Sequence, residues 1–399
     1  MKPASDDSSN PAVPECPAPG PGRIFLLFMH VGATAFGMGM LQSLRETLLK
    51  RRMATEHELA EGLALVQLYP GPVMANLAAY FGYLRGGIVG AVLALLGFIA
   101  PCTVLMLILA ALYRNYGAAP AAGTILRGLD VVMAGVMLHL TLDFSRRQLK
   151  RRLEWGLAAC VAALAILGAN LSLLVLAGAG IGMYLRRKDE NAAADRHRLN
   201  FARFRAALLM AAGLLAGAGF ALFVPSDLGR LYLAFAHVGS VAFGNGVTIL
   251  PLLRDAVLAN GWLTPSQLGT AIAFSQITPG PILNAATFTG YVVADWSGGL
   301  MATFAIFAPS FVMTLVFAEL FAHIRHKAWI KGGIHGAMVV FCGMVASVAW
   351  FMVANGVRQI SDAGVAGIVW LALARFKWPM HWVLPLGVVL RLGLGWAMG

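Results

Sequence analysis

The sequence predicts an all-α polytopic membrane protein of about 13 transmembrane segments, built from two homologous, inverted repeats that each carry a helix broken at a Pro-Gly-Pro motif. Three observations carry this prediction. Of 399 residues, 59% are hydrophobic and 12% charged, where a soluble domain carries roughly 25% charged residues, so lipid must cover most of the surface. Apolar runs of about 20 residues, the length that crosses a bilayer as a helix, recur along the chain. The second half repeats motifs of the first.

Taken in order, residues 1–22 read as a disordered tail. Six prolines fall among the first 21 residues beside Asp6, Asp7 and Ser8, without the basic start and apolar stretch of a signal peptide. The first repeat, 23–185, holds candidate spans Ile24–Leu41, Leu59–Ala79, Ile88–Leu112 and Leu126–Leu142. It ends in Trp155–Tyr184, which is too long for one helix and is divided at Asn170 into a hairpin of short ones. A basic linker, 186–205, and a linking helix, 206–225 with the span Ala206–Val224, lead to the second repeat, 226–399. Its spans are Leu231–Leu253, Leu268–Val293, Leu300–Phe321 and Ile334–Val353, and Ala363–Met398 is a second short hairpin interrupted at Lys377, Trp378 and Pro379.

The net charge of +12, from 30 Lys and Arg against 18 Asp and Glu, would suggest nucleic acid as partner in a soluble chain. Its placement argues for topology instead. The cluster Arg146, Arg147, Lys150, Arg151, Arg152 and the stretch from Arg186 to Arg205 together carry +9, and both lie between apolar runs, where the positive-inside rule places cytoplasmic loops. With a cytoplasmic N-terminus, segments 146–152, 186–205, 325–331 and 375–377 all fall inside. The loop with Arg45, Lys50, Arg51 and Arg52 falls outside, so either it is an exception or the first two segments form a re-entrant hairpin.

The duplication is extensive. Phe28, His30, Val31, Gly32, Ala35, Phe36, Gly37 and Gly39 recur at an offset of 207 as Phe235, His237, Val238, Gly239, Ala242, Phe243, Gly244 and Gly246. Gln67, Pro70, Gly71 and Pro72 recur at 209 as Gln276, Pro279, Gly280 and Pro281; Ala100 and Pro101 recur at 208 as Ala308 and Pro309. Slips of one or two residues are what loop changes produce. Seven crossings would precede the second repeat, which inverts it, and inverted repeats are the architecture of secondary transporters that bind substrate at the repeat interface.

The duplicated motifs are the candidate site. In Gln67-Leu68-Tyr69-Pro70-Gly71-Pro72 and Gln276-Ile277-Thr278-Pro279-Gly280-Pro281 the prolines remove N–H groups and the glycine permits a sharp change of direction, so the helix breaks. Such backbone is tolerated at membrane depth only when it is buried in protein or lines a cavity. The half-helix after each break offers free N–H groups and a positive dipole end to an anion, and Gln67 and Gln276 can add side-chain amides. In Phe36-Gly37-Met38-Gly39 and Phe243-Gly244-Asn245-Gly246 the Gly-x-Gly pair either opens a nest of N–H groups or allows close helix packing. His30 and His237, two turns earlier, are proton-coupling candidates or packing residues. Arg45 with Glu46 and Arg254 with Asp255 form a duplicated basic and acidic pair, at the interface or lining an anion path. Asp130, His139, Asp143, Glu319 and His335 rank second.

Enzyme signatures are missing: no phosphate loop, no His-Glu-x-x-His and no Gly-x-Ser-x-Gly occurs. Cys16, Cys102, Cys160 and Cys342 lie far apart, without the spacing of a disulfide framework or metal site. No catalytic residue, metal or cofactor is expected, and a membrane enzyme acting on a lipid is the alternative of another class.

The duplicated Pro-Gly-Pro segments and glycine motifs resemble the chromate ion transporter family, in its two-domain form, from about Arg23 to Met398. The resemblance implies a plasma-membrane secondary transporter that expels chromate, a dianion shaped like sulfate, and confers chromate resistance, with sulfate or another oxyanion as the alternative substrate. It also implies halves that arose by duplication and lie antiparallel. Met38 and Asn245 stand where the family usually has a second consecutive glycine. The expected partners are such an oxyanion and the lipid bilayer, with no nucleic acid; a homodimer is compatible with this architecture.

Overall fold

A computed structural model describes residues 19–34, 40–117, 119–186, 201–223, 226–244, 246–324 and 327–397. The expected tail, apart from its last four residues, and most of the basic linker lie outside them. In chain order the helices are α1 (Pro21–Thr34), α2 (Met40–Lys50), α3 (Glu56–Val66), α4 (Val73–Tyr116), α5 (Pro120–Gln148), α6 (Arg152–Ile166), α7 (Leu171–Leu185) and α8 (Phe201–Phe223). The second half follows with α9 (Asp227–Val241), α10 (Ile249–Ala259), α11 (Pro265–Ile277), α12 (Ala285–Ile324), α13 (Ala328–Gly356), α14 (Ile360–Ala374) and α15 (Met380–Ala397). Two two-residue strands, β1 (Gly71–Pro72) and β2 (Phe243–Gly244), pair in parallel. Five helical stretches among the described residues are long and apolar enough to cross a membrane, and the chain is an all-α, multi-pass membrane protein.

The same folding device appears twice. Helix α4 turns back on itself at Gly86 and Gly87, and α12 does so at Ala294 and Asp295, with nearly the same non-helical backbone angles. A Cβ on Gly82 would run into the Gly90 carbonyl, and one on Gly290 into the Gly298 carbonyl. In a straight helix those residues would stand about 12 Å apart, so each "long helix" is a hairpin of a short arm and a long one. Arg114 ties the second turn by an ion pair with Asp295.

Three predicted spans prove to be pairs of short helices. Leu59–Ala79 is α3, the Pro-Gly-Pro break and the short arm of α4, folded side by side. The arms are joined at their base, where Arg85 donates to Glu58 at 2.6 Å and to the Met53 carbonyl at 2.8 Å, and near the middle, where a Cβ on Gly62 would meet the Tyr80 ring at 2.9 Å. Leu268–Val293 folds likewise from α11 and the short arm of α12, with Phe274 edge-on to Phe288 at 5.9 Å. An 11-residue helix such as α3 reaches about 16 Å, half a bilayer core, so these are re-entrant hairpins with Pro-Gly-Pro at the tip. Leu231–Leu253 is α9, β2 and α10, because Gly244 (φ 88°) and Gly246 (φ 79°) take the left-handed backbone that ends a helix. Its twin Ile24–Leu41 is helical to Thr34; residues 35–39 lie outside the described ones. Hydropathy missed these breaks because both flanks of each are apolar.

Each terminal region divides into two short helices, α6 and α7 in the first and α14 and α15 in the second; α14 packs on α15, whereas α6 and α7 both lie on α13. Asn170 caps α7 by accepting from the Leu173 N–H at 3.1 Å. Helix α1 packs on α4 with Gly32 against the Phe98 carbonyl, and α9 packs on α12 with Gly239 against the Ile306 carbonyl. Helix α13 lies against α5, α6 and α7, and α4 against α12 joins the halves.

Candidate functional site

The two Pro-Gly-Pro tips reach across into opposite halves. At the first, Gly71 takes φ 135°, open to glycine and strained for other residues, and its N–H donates to the Ala242 carbonyl at 2.6 Å. Gly71 then stands opposite Phe243 and Pro72 opposite Gly244, so the tip of one half pairs with the glycine motif of the other. A Cβ on Gly71 would strike the Ser310 side chain of α12. At the second tip Gly280 (φ 110°) abuts α4, where a Cβ would meet Cys102 Cβ and Sγ, each at 2.7 Å. Cys102 and Ser310 are equivalent in the repeat, each following the proline inside its helix, Pro101 or Pro309. Each tip therefore rests on the proline turn of the other half's long arm.

The turns after the tips start uncapped. Pro72 precedes α4 and Pro281 precedes the 3-10 turn Ile282–Asn284, and neither supplies a side-chain cap. First-turn N–H groups there lack the usual side-chain acceptor, at the positive end of the helix dipole. Gly71, Pro72, Gly239, Gly244, Gly246 and Thr248 line a cavity of about 10 Å³, room for about one water molecule. Beyond it lies a vestibule of about 650 Å³ walled by His57, Gln67, Gln148, Lys331, His335 and Met338. Met338 stands between the two spaces: a Cβ on Gly244 would lie 3.2 Å from its Cε.

The profile of the chromate transporter family matches residues 22–183 and again residues 229–392, once in each half. The chain belongs to the chromate transporter family. It is 28% identical over 366 residues to a probable chromate transport protein of Synechococcus elongatus, with 90% of each chain covered. It is 25% identical over 362 residues to a chromate transport protein of Cupriavidus metallidurans, covering 89% of this chain and 88% of the relative. An uncharacterised transporter of Methanocaldococcus jannaschii is 28% identical over 334 residues, 82% of this chain and 83% of that one. No solved structure matches. The family is one of transporters and not enzymes, so this chromate transporter family member is an ion transporter, as the resemblance implied.

In this family member the predicted residues part company. Pro70, Gly71, Pro72, Pro279, Gly280 and Pro281 form the two tips, and Gly244 and Gly246 line the small cavity. Gly37, Gly39 and Asn245 lie outside the described residues. The two glutamines are not equivalent: Gln67 is exposed in the vestibule wall, whereas the Nε2 of Gln276 is buried without a partner. Arg45 is not satisfied by Glu46, because α2 turns it toward α3, where it donates to Glu56 at 2.7 Å; Glu46 accepts from Gln42 at 3.0 Å. Arg254 packs over the Phe351 ring at 5.5 Å. His30 lies on an exposed helix face, and His237, exposed as well, meets Ser172 of α7 at 2.8 Å. Neither lines the small cavity or the vestibule. Of the second rank, His335 reaches both the vestibule and Glu154 at 3.0 Å, and Asp130 accepts from Ser266 at 2.6 Å.

Four residues escaped the sequence reading. Cys102 and Ser310 seat the tips, and Asn76 and Asn284 follow them as buried amides, each 1% exposed. Both pairs stand at the offset of 208 that relates their neighbours, but only the asparagines are identical, and no motif surrounds them.

Proposed function

We propose that this chromate transporter family member is a secondary active transporter that exports a tetrahedral oxyanion, chromate foremost, across the bacterial plasma membrane and so confers chromate resistance. The observation that carries this reading is the reciprocal seating of the two tips. A carrier built from two repeats exposes its site alternately by moving one repeat against the other around a shared centre, and here neither half can move without remaking the contacts at Gly71 and Gly280. On this reading residues 23–185 and 226–399 are the inverted repeats, joined by the linker 186–205 and the helix 206–225. The vestibule with His57, Lys331 and His335 adjoins Gln148, inside the basic segment that the positive-inside rule assigns to the cytoplasm. It is the entry for the anion, with Met338 as its inner wall and the small cavity as the closed centre.

Export needs no nucleotide. One charge crossing 100 mV is worth about 2.3 kcal/mol, so a dianion leaving a negative interior gains roughly 4.6 kcal/mol, or about three powers of ten in concentration ratio. The test is accumulation of labelled chromate in chromate-sensitive cells. Cells expressing the protein are expected to accumulate less and to resist chromate, and Pro70→Ala or Pro279→Ala to abolish that protection with membrane insertion unchanged. Unaltered accumulation would refute chromate export. Inhibition by sulfate in inverted vesicles would extend the substrate class to both dianions, and transport of sulfate alone would exchange one substrate for the other.

A further inference from the structure

We propose that Asn76 and Asn284 are a pair of oxyanion-binding residues, one from each half, whose side-chain amides donate to the transported anion at the crossed tips. This rests on the oxyanion-carrier reading and deepens it. Asn76 sits in the first turn of α4, four residues beyond Pro72; Asn284 closes the 3-10 turn that leads into α12, three residues beyond Pro281. The Nδ2 of Asn76 lies 2.6 Å from where a Cβ on Gly71 would be, so the missing side chain of Gly71 leaves room beside the amide. Gly71 lines the small cavity, as does Leu283, the immediate neighbour of Asn284. Asn284 stands beside the Cys102 sulfur, a weak acceptor at best, whose S–H donates to the Ile99 carbonyl at 3.0 Å.

What singles the pair out is that neither amide nitrogen has a hydrogen-bond partner, although each residue is 1% exposed. Native proteins leave few buried polar groups unpaired, and an unpaired one is costly. Here the vacancy occurs twice, at repeat-equivalent positions, each just past an uncapped helix start. The Nε2 of Gln276, before the second tip, is a third amide nitrogen in the same condition. An NH2 donor is left over in all three cases, joined at Asn284 by its own Oδ1, and the donor that recurs at all three calls for a ligand that accepts hydrogen bonds. A tetrahedral oxyanion presents four acceptor oxygens, and its charge suits the positive helix ends. A metal cation would need several oxygens turned toward it, whereas the group common to the three positions is an amide NH2.

The test compares purified full-length protein with Asn76→Leu, Asn284→Leu and the corresponding serine and aspartate variants, titrated with chromate and with sulfate and followed by equilibrium binding and thermal unfolding. Losing a hydrogen bond to a charged ligand should weaken chromate binding about tenfold or more at either position, and aspartate, which brings a negative charge, should abolish it. Replacing an unpartnered buried amide by an apolar group of similar shape should leave the ligand-free protein as stable as before or more stable. Serine, smaller than asparagine, should weaken binding in the same direction without demanding repacking. Wild-type binding by all leucine and serine variants would overturn the proposal while leaving the carrier reading intact. So would a lower melting temperature of the empty leucine variants with unchanged affinity, since that marks a structural amide. A wild-type protein that binds neither anion would overturn the carrier reading and this inference together.

Discussion

The two tip crossings share a backbone and differ in chemistry. In the first, Tyr69 is buried and donates to Thr314 at 2.9 Å, Thr314 donates to the Ser310 carbonyl at 2.8 Å, and β1 pairs with β2. In the second, Thr278 replaces Tyr69 and bonds only within its own helix, to the Phe274 carbonyl at 3.0 Å. Met106 occupies the place of Thr314, and Cys102 that of Ser310. The unpartnered buried atoms follow the same division: one near the first crossing, on Asn76, and several near the second, on Gln276, Asn284 and Thr103. Duplication has kept the device that breaks the helix and let its surroundings diverge. The first crossing is hydrogen-bonded across the halves, whereas the second keeps its polar groups unspent.

The largest effects should come from filling the glycines. Gly71→Ala and Gly280→Ala each place a side chain at positive φ and against a packed neighbour, together costing about 2–4 kcal/mol, read as a fall in unfolding temperature in detergent. The crossings should then differ in rescue. Cys102→Gly removes both atoms that an alanine at 280 would meet, so the double variant should recover 1 kcal/mol or more as coupling. Ser310→Gly should rescue Gly71→Ala less, because the Asn76 amide remains 2.6 Å from the new Cβ. Equal rescue at both would mean that Asn76 does not occupy the first crossing.

A smaller effect separates the bonded crossing from the other. Tyr69→Phe removes the hydroxyl that links the halves and should cost about 1 kcal/mol, the usual net value of such a bond, with the ring still packed 4.9 Å from Phe317. Thr278→Val loses only a bond within its own helix and should cost less than half as much. If unfolding measurements give the two substitutions equal costs, the Tyr69 bond contributes nothing across the halves.

Much of this was legible in the residues. Composition and the recurring apolar runs gave a helical membrane protein, the 207–209 offsets gave two halves, and the Pro-Gly-Pro segments marked the breaks because proline and glycine act locally on backbone geometry. What the sequence withheld was direction after each break. A six-residue gap between apolar arms reads the same whether the chain continues across the bilayer or turns back, and only contacts such as Arg85 with Glu58 decide. The surroundings of the histidines and of Arg45 were illegible for a related reason. Their spacing from the glycine motif was real, but the face they occupy depends on α7 and α3, which hydropathy does not locate. Asn76 and Asn284 were overlooked because a lone asparagine in an apolar helix carries no motif; its meaning lies in the partner it lacks.

The least disruptive substitution tests whether the crossings differ in kind or only in bonding. Cys102 donates through Sγ to the Ile99 carbonyl at 3.0 Å, three residues back, and Ser310 makes the same bond through Oγ to the Phe307 carbonyl at 3.1 Å. Cys102→Ser therefore copies into the second crossing a side chain and a hydrogen bond that the first already holds. The hydroxyl has a ready acceptor, the volume hardly changes and no new polar atom is left unpaired, so the cost should stay below about 0.5 kcal/mol, within the range of a neutral substitution. Transport should be unaltered, because on this account the residue only seats Gly280. If the serine protein melts normally but no longer transports, the thiol itself takes part in the cycle, and the crossings differ in function as well as in bonding.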